Sequence, residues 1–409
     1  MAAKKNLGLE GLRGIASLIV AIGHFTFVFF PYLGSVFIPV PGSVPTFNFE
    51  RWVQYPPFSI FFSAEAAVCV FFVMSGYVLT TKFLATDNVS VLQAAASKRY
   101  LRLVLPSCAS VIFAWALATS GAIITRDSAT IGVAGWVPAW YVGPFSFFGA
   151  LFDGLIGAPL FAHTSLNPPL WTIQVELIGS IFLFSMLAVF GRRLLPLTLW
   201  SIFFAALLGF MSPNMLFYVS FLVGAMLNYA RPWLLKRPAL CAVFALTGLI
   251  GLAYSHNSVF AFLRVLHLPN LSPYGPNFDL NQRLFWNTAG AILLVSGVIG
   301  SARVNQVFSE RIPVYLGKIS FSLYVVHVPI LMSVGLRTAR WAQSHGCSFL
   351  TSSIFAFSVY MATALVVATL FQRFVDRPSI AFADAVSKRG SFKVADSNTT
   401  RASTENVPQ

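Results

Sequence analysis

Arg13 and His24 stand eleven residues apart in the stretch LEGLRGIASLIVAIGHF, with an almost wholly apolar run between them. In an α-helix, at about 100° and about 1.5 Å per residue, the two side chains point nearly the same way, about 16 Å apart along the axis. A guanidinium at one end of such a face can hold an anion, and an imidazole at the other can take a proton at neutral pH. A second arginine pair, Arg99 and Arg102 in SKRYLRLVLP, shares a helix face at a spacing suited to bidentate phosphate binding. Further polar groups interrupt apolar runs: Ser75 beside Gly76 in FFVMSGYVLT, Glu176 a turn and a half after Trp171 in LWTIQVELIGS, and His327 one turn after Tyr324 in ISFSLYVVHVPI.

Each of these residues also has an ordinary structural reading. Arg13, Arg99 and Arg102 can anchor helices at a membrane surface, His24 and Glu176 can serve as interhelical partners, and Ser75 can bond to its own helix. Taken together they mark a site, because ionisable groups inside apolar segments are costly and are functional by default.

The elements that position them are membrane helices. Of 409 residues, 57% are hydrophobic, 41 are Phe and only 10% are charged, against about 25% charged in soluble domains. The expected fold class is all-α: a polytopic membrane helix bundle with about ten transmembrane helices. Spans of about 20 apolar residues fall near 12–33, 66–84, 101–122, 170–190, 197–212, 214–230, 239–254, 284–301, 315–336 and 348–374. The pair flanking MSPN is the weakest, with a single re-entrant segment as the alternative.

The net charge of +14 reads as cytoplasmic-loop charge rather than as a nucleic-acid surface. With both termini cytoplasmic, the basic loops 192–193, 231–237, 303–318 and 373–401 fall inside together with Lys4, Lys5, Lys82 and Lys98. Only Arg51, Arg126, Arg264, Arg283, Arg337 and Arg340 fall outside, a positive-inside distribution. The loops near 123–169 and 255–283 are read as irregular outer segments. Residues 1–386 form the membrane domain, and 387–409 a polar tail expected to be disordered. Cys69, Cys108, Cys241 and Cys347 form no C-x-x-C pair and read as small apolar fillers. The six His lack metal-ligand spacing, so neither a metal nor a tightly bound cofactor is expected.

In this order and spacing, LEGLRGIASLIVAIGHF, FFVMSGYVLT, KRYLRL, NPPLWTIQVE, GKISFSLYVVHVP and FQRFVDRP resemble the acyltransferase family 3 membrane proteins over most of residues 8–380. The resemblance implies an integral, multi-pass enzyme of the plasma, inner or endomembrane. It would move an acyl group, expected to be acetyl, from acyl-coenzyme A to a hydroxyl of a sugar, glycan or secondary-metabolite acceptor. It assigns His24 as the catalytic residue and Arg99 with Arg102 to the coenzyme A phosphates. Arg13 matches the family's R-x10-H element together with His24 and is expected to join the arginine pair in binding the donor phosphates, and Ser75, Trp171, Tyr324 and His327 match supporting positions of the family. Asp376 stands where members often carry Glu. The sequence shows no counterpart of the extracytoplasmic hydrolase-like domain found in some members that modify polysaccharide.

Chemically, a neutral His24 acts as general base for the acceptor hydroxyl, with Glu176 orienting the imidazole or holding the acceptor. Ser75 is a less favoured relay nucleophile. The competing reading is a proton-coupled transporter without acyl transfer. Such carriers usually show internal repeats and paired broken helices, which this sequence does not display.

Overall fold

The computed structural model describes residues 6–35, 44–135, 137–211, 215–255, 259–260, 263 and 278–388. Every regular element among them is helical. The long helices are α1 (Leu7–Phe29), α2 (Ala64–Thr86), α3 (Val89–Thr119), α4 (Trp171–Phe190), α5 (Leu194–Met211), α6 (Met215–Leu235), α7 (Pro238–Leu252), α8 (Phe278–Gly300), α9 (Arg311–Ile330) and α10 (Phe349–Phe371).

Each apolar segment expected from hydropathy coincides with one of these helices. Seven helical segments among the described residues are long and apolar enough to cross a membrane, including Leu7–Phe29, Arg311–Ser344 and Phe349–Lys388. With 15 residues, α7 is shorter than the about 20 a span requires. Most of the MSPN turn, almost all of HLPNLSPYGPNF and the tail from 389 lie outside the described residues.

Small residues set the helix approaches, as they must where packing rather than hydrophobic expulsion joins helices. A Cβ on Gly14 would lie 2.4 Å from the backbone nitrogen of Gly317, so α1 and α9 touch backbone to backbone there. A Cβ on Gly76 would meet the Phe221 carbonyl oxygen at 2.0 Å, which seats α2 on α6. Gly76 is thus a packing residue, while its neighbour Ser75 faces a cavity.

The region 123–169 is more ordered than an irregular outer loop. Phe147–Phe161 is helical and runs along α3. Trp115 Nε1 donates to the Phe145 carbonyl at 3.0 Å, and Tyr100 Oη donates to that of Leu155 at 2.5 Å. Phe148, Phe152, Ile156 and Leu160 form an exposed apolar stripe at helical spacing. A loop rich in aromatics thereby covers the flank of α3.

Proline chemistry fixes the centre of the bundle. Pro329 has no N–H to give the carbonyl of Val325, four residues back in α9. Asn167 Nδ2 donates to that carbonyl at 2.8 Å and to Ser110 Oγ on α3 at 3.0 Å. The start of α4 is therefore pinned between α3 and α9. Tyr324 adds a second tie: its hydroxyl donates to the Pro169 carbonyl at 3.0 Å and accepts from Thr172 Oγ1 at 2.9 Å.

Candidate active site

The helix packing opens three spaces in series. An inner cavity of about 290 Å³ is lined by Arg13, Ser75, Arg99, Arg102 and Glu176, among others. A throat of about 40 Å³ shares Arg13, Phe71, Glu176 and Phe321 with it. An outer cavity of about 360 Å³ shares Val68 and Tyr324 with the throat, and His24, Glu65, Trp171 and Arg283 also line it. Arg13 and His24 thus stand at opposite ends of one row, as their spacing on α1 required.

His24 is paired with a second histidine. His327 Nε2 lies 3.2 Å from His24 Nδ1, and the rings meet edge to face with centroids 4.8 Å apart. The surrounding acceptors assign the tautomers. His24 Nδ1 is 2.9 Å from the Val20 carbonyl, which can only accept, so Nδ1 carries the proton. By the same logic His327 Nδ1, 2.8 Å from the Tyr324 carbonyl and 3.1 Å from that of Leu323, is also protonated. A neutral His327 then has a bare Nε2 that accepts from His24. The remaining nitrogen of a neutral His24, Nε2, is a lone pair with no hydrogen bond among the described residues, on a ring that lines the outer cavity. His327 is fully buried behind it.

The expected partnership of Glu176 with His24 is not what the fold builds. Glu176 Oε1 accepts from Arg99 Nη2 at 2.7 Å, and Arg99 Nε donates to Ser180 Oγ at 2.9 Å. Glu176 therefore belongs to the inner cavity and the throat. The reason is the start of α4: pinned at Asn167, its first turns present Trp171 to the outer cavity and Glu176, a turn and a half further, to α3.

The two arginines of KRYLRL also divide their work. Arg99 is buried in that ion pair, whereas Arg102 is exposed to the inner cavity and makes no hydrogen bond or ion pair among the described residues. Arg13 is likewise without such a partner. The two cations open to the inner cavity are thus Arg13 and Arg102, and Arg99 holds the wall. Ser75 lines the inner cavity with them, away from His24. Trp171 lines the outer cavity and packs on Phe217 with ring centroids 5.1 Å apart. Tyr324 lines both the outer cavity and the throat.

Sequence reasoning missed Glu65 and misplaced Arg283. Arg283, counted as an outer-loop cation, is fully buried within α8. Its Nε donates to Glu65 Oε1 at 3.2 Å and its Nη2 to Glu65 Oε2. The carboxylate that shares a cavity with His24 is therefore Glu65. Its signal was a lone Glu at the head of an apolar run, SAEAAVCVFFVM, with an Arg at the head of another, NQRLFW.

The described residues form a helical bundle in which a cavity lined by three arginines leads through a throat to a second cavity lined by a histidine. The chain belongs to the acyltransferase domain family, whose model matches residues 6–373. It is 24% identical to Acyltransferase R4 of Phoma sp., over 91% of this chain and 93% of that protein. It is 24% identical to Acyltransferase clz18 of Cochliobolus lunatus, over 94% and 96%. Over 81% of this chain and 73% of the relative it is 26% identical to the O-acetyltransferase PaAT-1 of Phomopsis amygdali. No solved structure matches. The chain is an O-acyltransferase of the membrane.

Proposed function

We propose that the protein transfers an acyl group, acetyl as in the O-acetyltransferase of Phomopsis, from acyl-coenzyme A to a hydroxyl of a sugar, glycan or secondary-metabolite acceptor. The observation that carries this reading is His24: a histidine on the cavity wall whose Nδ1 is occupied by Val20 and His327 and whose Nε2 is unfilled.

The donor's anionic nucleotide end docks in the inner cavity against Arg102 and Arg13, and its thin acyl-bearing arm passes the throat. The basic surface raises the local concentration of such a polyanion. In the outer cavity His24 Nε2 takes the proton of the acceptor hydroxyl as its oxygen bonds to the thioester carbonyl carbon. Collapse of the tetrahedral intermediate breaks the carbon–sulfur bond, and the imidazolium returns the proton to the departing thiolate. While the ring is charged, His24 Nδ1–H stays hydrogen-bonded to His327 and the Val20 carbonyl, the orienting role a carboxylate plays in hydrolase triads.

In this reading the helices form a multi-pass bundle of about ten spans in a plasma, inner or endomembrane, with both termini and the inner cavity cytoplasmic. Purified protein should release free coenzyme A thiol from acetyl-coenzyme A only with an acceptor present. Mass spectrometry of cell extracts with and without the gene should show the loss of one acyl increment. Full retention of acylated products after deletion would reject the reading.

A further inference from the structure

The outer cavity holds a charged pair that the transfer step does not use. Glu65 on α2 and Arg283 on α8 both line it with His24. Glu65 follows Ala64, which packs directly on Gly23, the residue before His24, so the pair sits at the level of the histidine. The two partners are unequally open: 1% of the Arg283 side chain is exposed, against 22% of the Glu65 side chain. The carboxylate, not the guanidinium, is the open member. An ionised carboxylate offers about four lone-pair sites. Arg283 occupies one on each oxygen, which leaves acceptor capacity on the open side.

His24 Nε2 is a second unfilled acceptor on this wall, and Thr26 adds a hydroxyl. The Tyr324 hydroxyl is engaged by Pro169 and Thr172, and much of the remaining wall is apolar, as at Phe27, Phe62, Phe217 and Leu284. The charges of Glu65 and Arg283 cancel, so the pair gives an ionic ligand no net attraction. A cavity with these acceptors, largely apolar walls and a neutralised charge suits a neutral, largely apolar ligand that brings hydroxyl groups of its own.

We propose that Glu65, locked by Arg283, is a positioning residue for the acyl acceptor, and that this acceptor is a neutral, largely apolar molecule with two hydrogen-bond donors. One is the hydroxyl acylated at His24, and the other is a second hydroxyl held by Glu65. This assignment rests on the acyl-transfer reading for the role of the first hydroxyl.

The test uses the full chain in detergent with two probes, a decalin diol and the matching decalin mono-alcohol. Binding is read by thermal stabilisation and transfer by thiol release from acetyl-coenzyme A. Wild type should bind the diol about tenfold more tightly than the mono-alcohol, the scale of one hydrogen bond to a charged group. Glu65→Met with Arg283→Met removes both charges together and should erase that ratio. Glu65→Gln keeps the shape but weakens the bond, and should cut the ratio several-fold. A wild-type ratio near one, or a ratio unchanged in Glu65→Gln or in the double variant, overturns the proposal, because a merely structural pair would not move discrimination between the probes. A diol preference in binding without thiol release from either alcohol would overturn acyl transfer and leave the Glu65 assignment standing.

Discussion

His327 Nε2 lies 3.2 Å from His24 Nδ1 across 303 residues of chain, and this contact ties α1 to α9 at the wall of the outer cavity. If His327 only fills space, an apolar replacement of similar volume is harmless. If it orients His24, His327→Leu should fold and bind acyl-coenzyme A normally yet lose turnover by about tenfold or more, and His327→Gln, which keeps an acceptor near the Nε2 position, should recover part of it. Turnover per folded protein for the two variants decides; equal and near wild-type values would remove His327 from the machinery.

The arginine pair should separate by phenotype. Arg102→Ala should raise KM for acyl-coenzyme A with little effect on thermal stability, and Arg102→Lys should restore it only in part, since a point charge cannot fork onto phosphate. Arg99→Ala strands Glu176 and should cost about 1–3 kcal/mol of stability. Replacing Arg99 and Glu176 together by Met should recover stability. Thermal melts alongside donor titrations check both halves.

The carbonyl orphaned by Pro329 gives a double-mutant cycle. Asn167→Ala should destabilise by about 1–3 kcal/mol, because the buried Val325 oxygen loses its donor. Pro329→Ala restores an N–H to the helix ladder, so the double variant should be less damaged than the sum of the two single changes. Strict additivity would show that Asn167 acts through Ser110 alone.

Helix positions were legible because a span's apolar length is local information. So was the row from Arg13 to His24, because both lie on one helix and its period fixes their relation. What could not be read was anything requiring two helices to be placed against each other. Glu176 is seven residues from an apparent helix start at Pro169, but its depth and partner depend on Asn167 capturing a carbonyl of α9. Arg283 looked like a loop cation because the stretch before it is polar and irregular, and only its pairing with Glu65, 218 residues away, explains its burial. The helix Phe147–Phe161 was hidden for another reason: its apolar stripe sits among glycines and prolines, which read as loop.

Orientation has its own check. The loops at 191–196 and 231–238 should face the cytoplasm. A cysteine introduced at 231–238, after removal of the exposed Cys347, should resist an impermeant thiol reagent in intact cells and react after permeabilisation. Labelling from outside would invert the layout and put the inner cavity on the wrong side for acyl-coenzyme A.

The most direct test of His24 Nε2 as the base that takes the acceptor hydroxyl's proton is turnover per folded protein for His24→Ala and His24→Gln measured together. Both should insert, fold and bind acyl-coenzyme A, and both should lose acyl transfer by about 10²–10⁴-fold, the usual worth of a positioned base. Gln keeps a hydrogen-bonding group but cannot take a proton at neutral pH. Activity of His24→Gln close to wild type, with His24→Ala merely poorly produced, would contradict the account and make the histidine pair a structural tie.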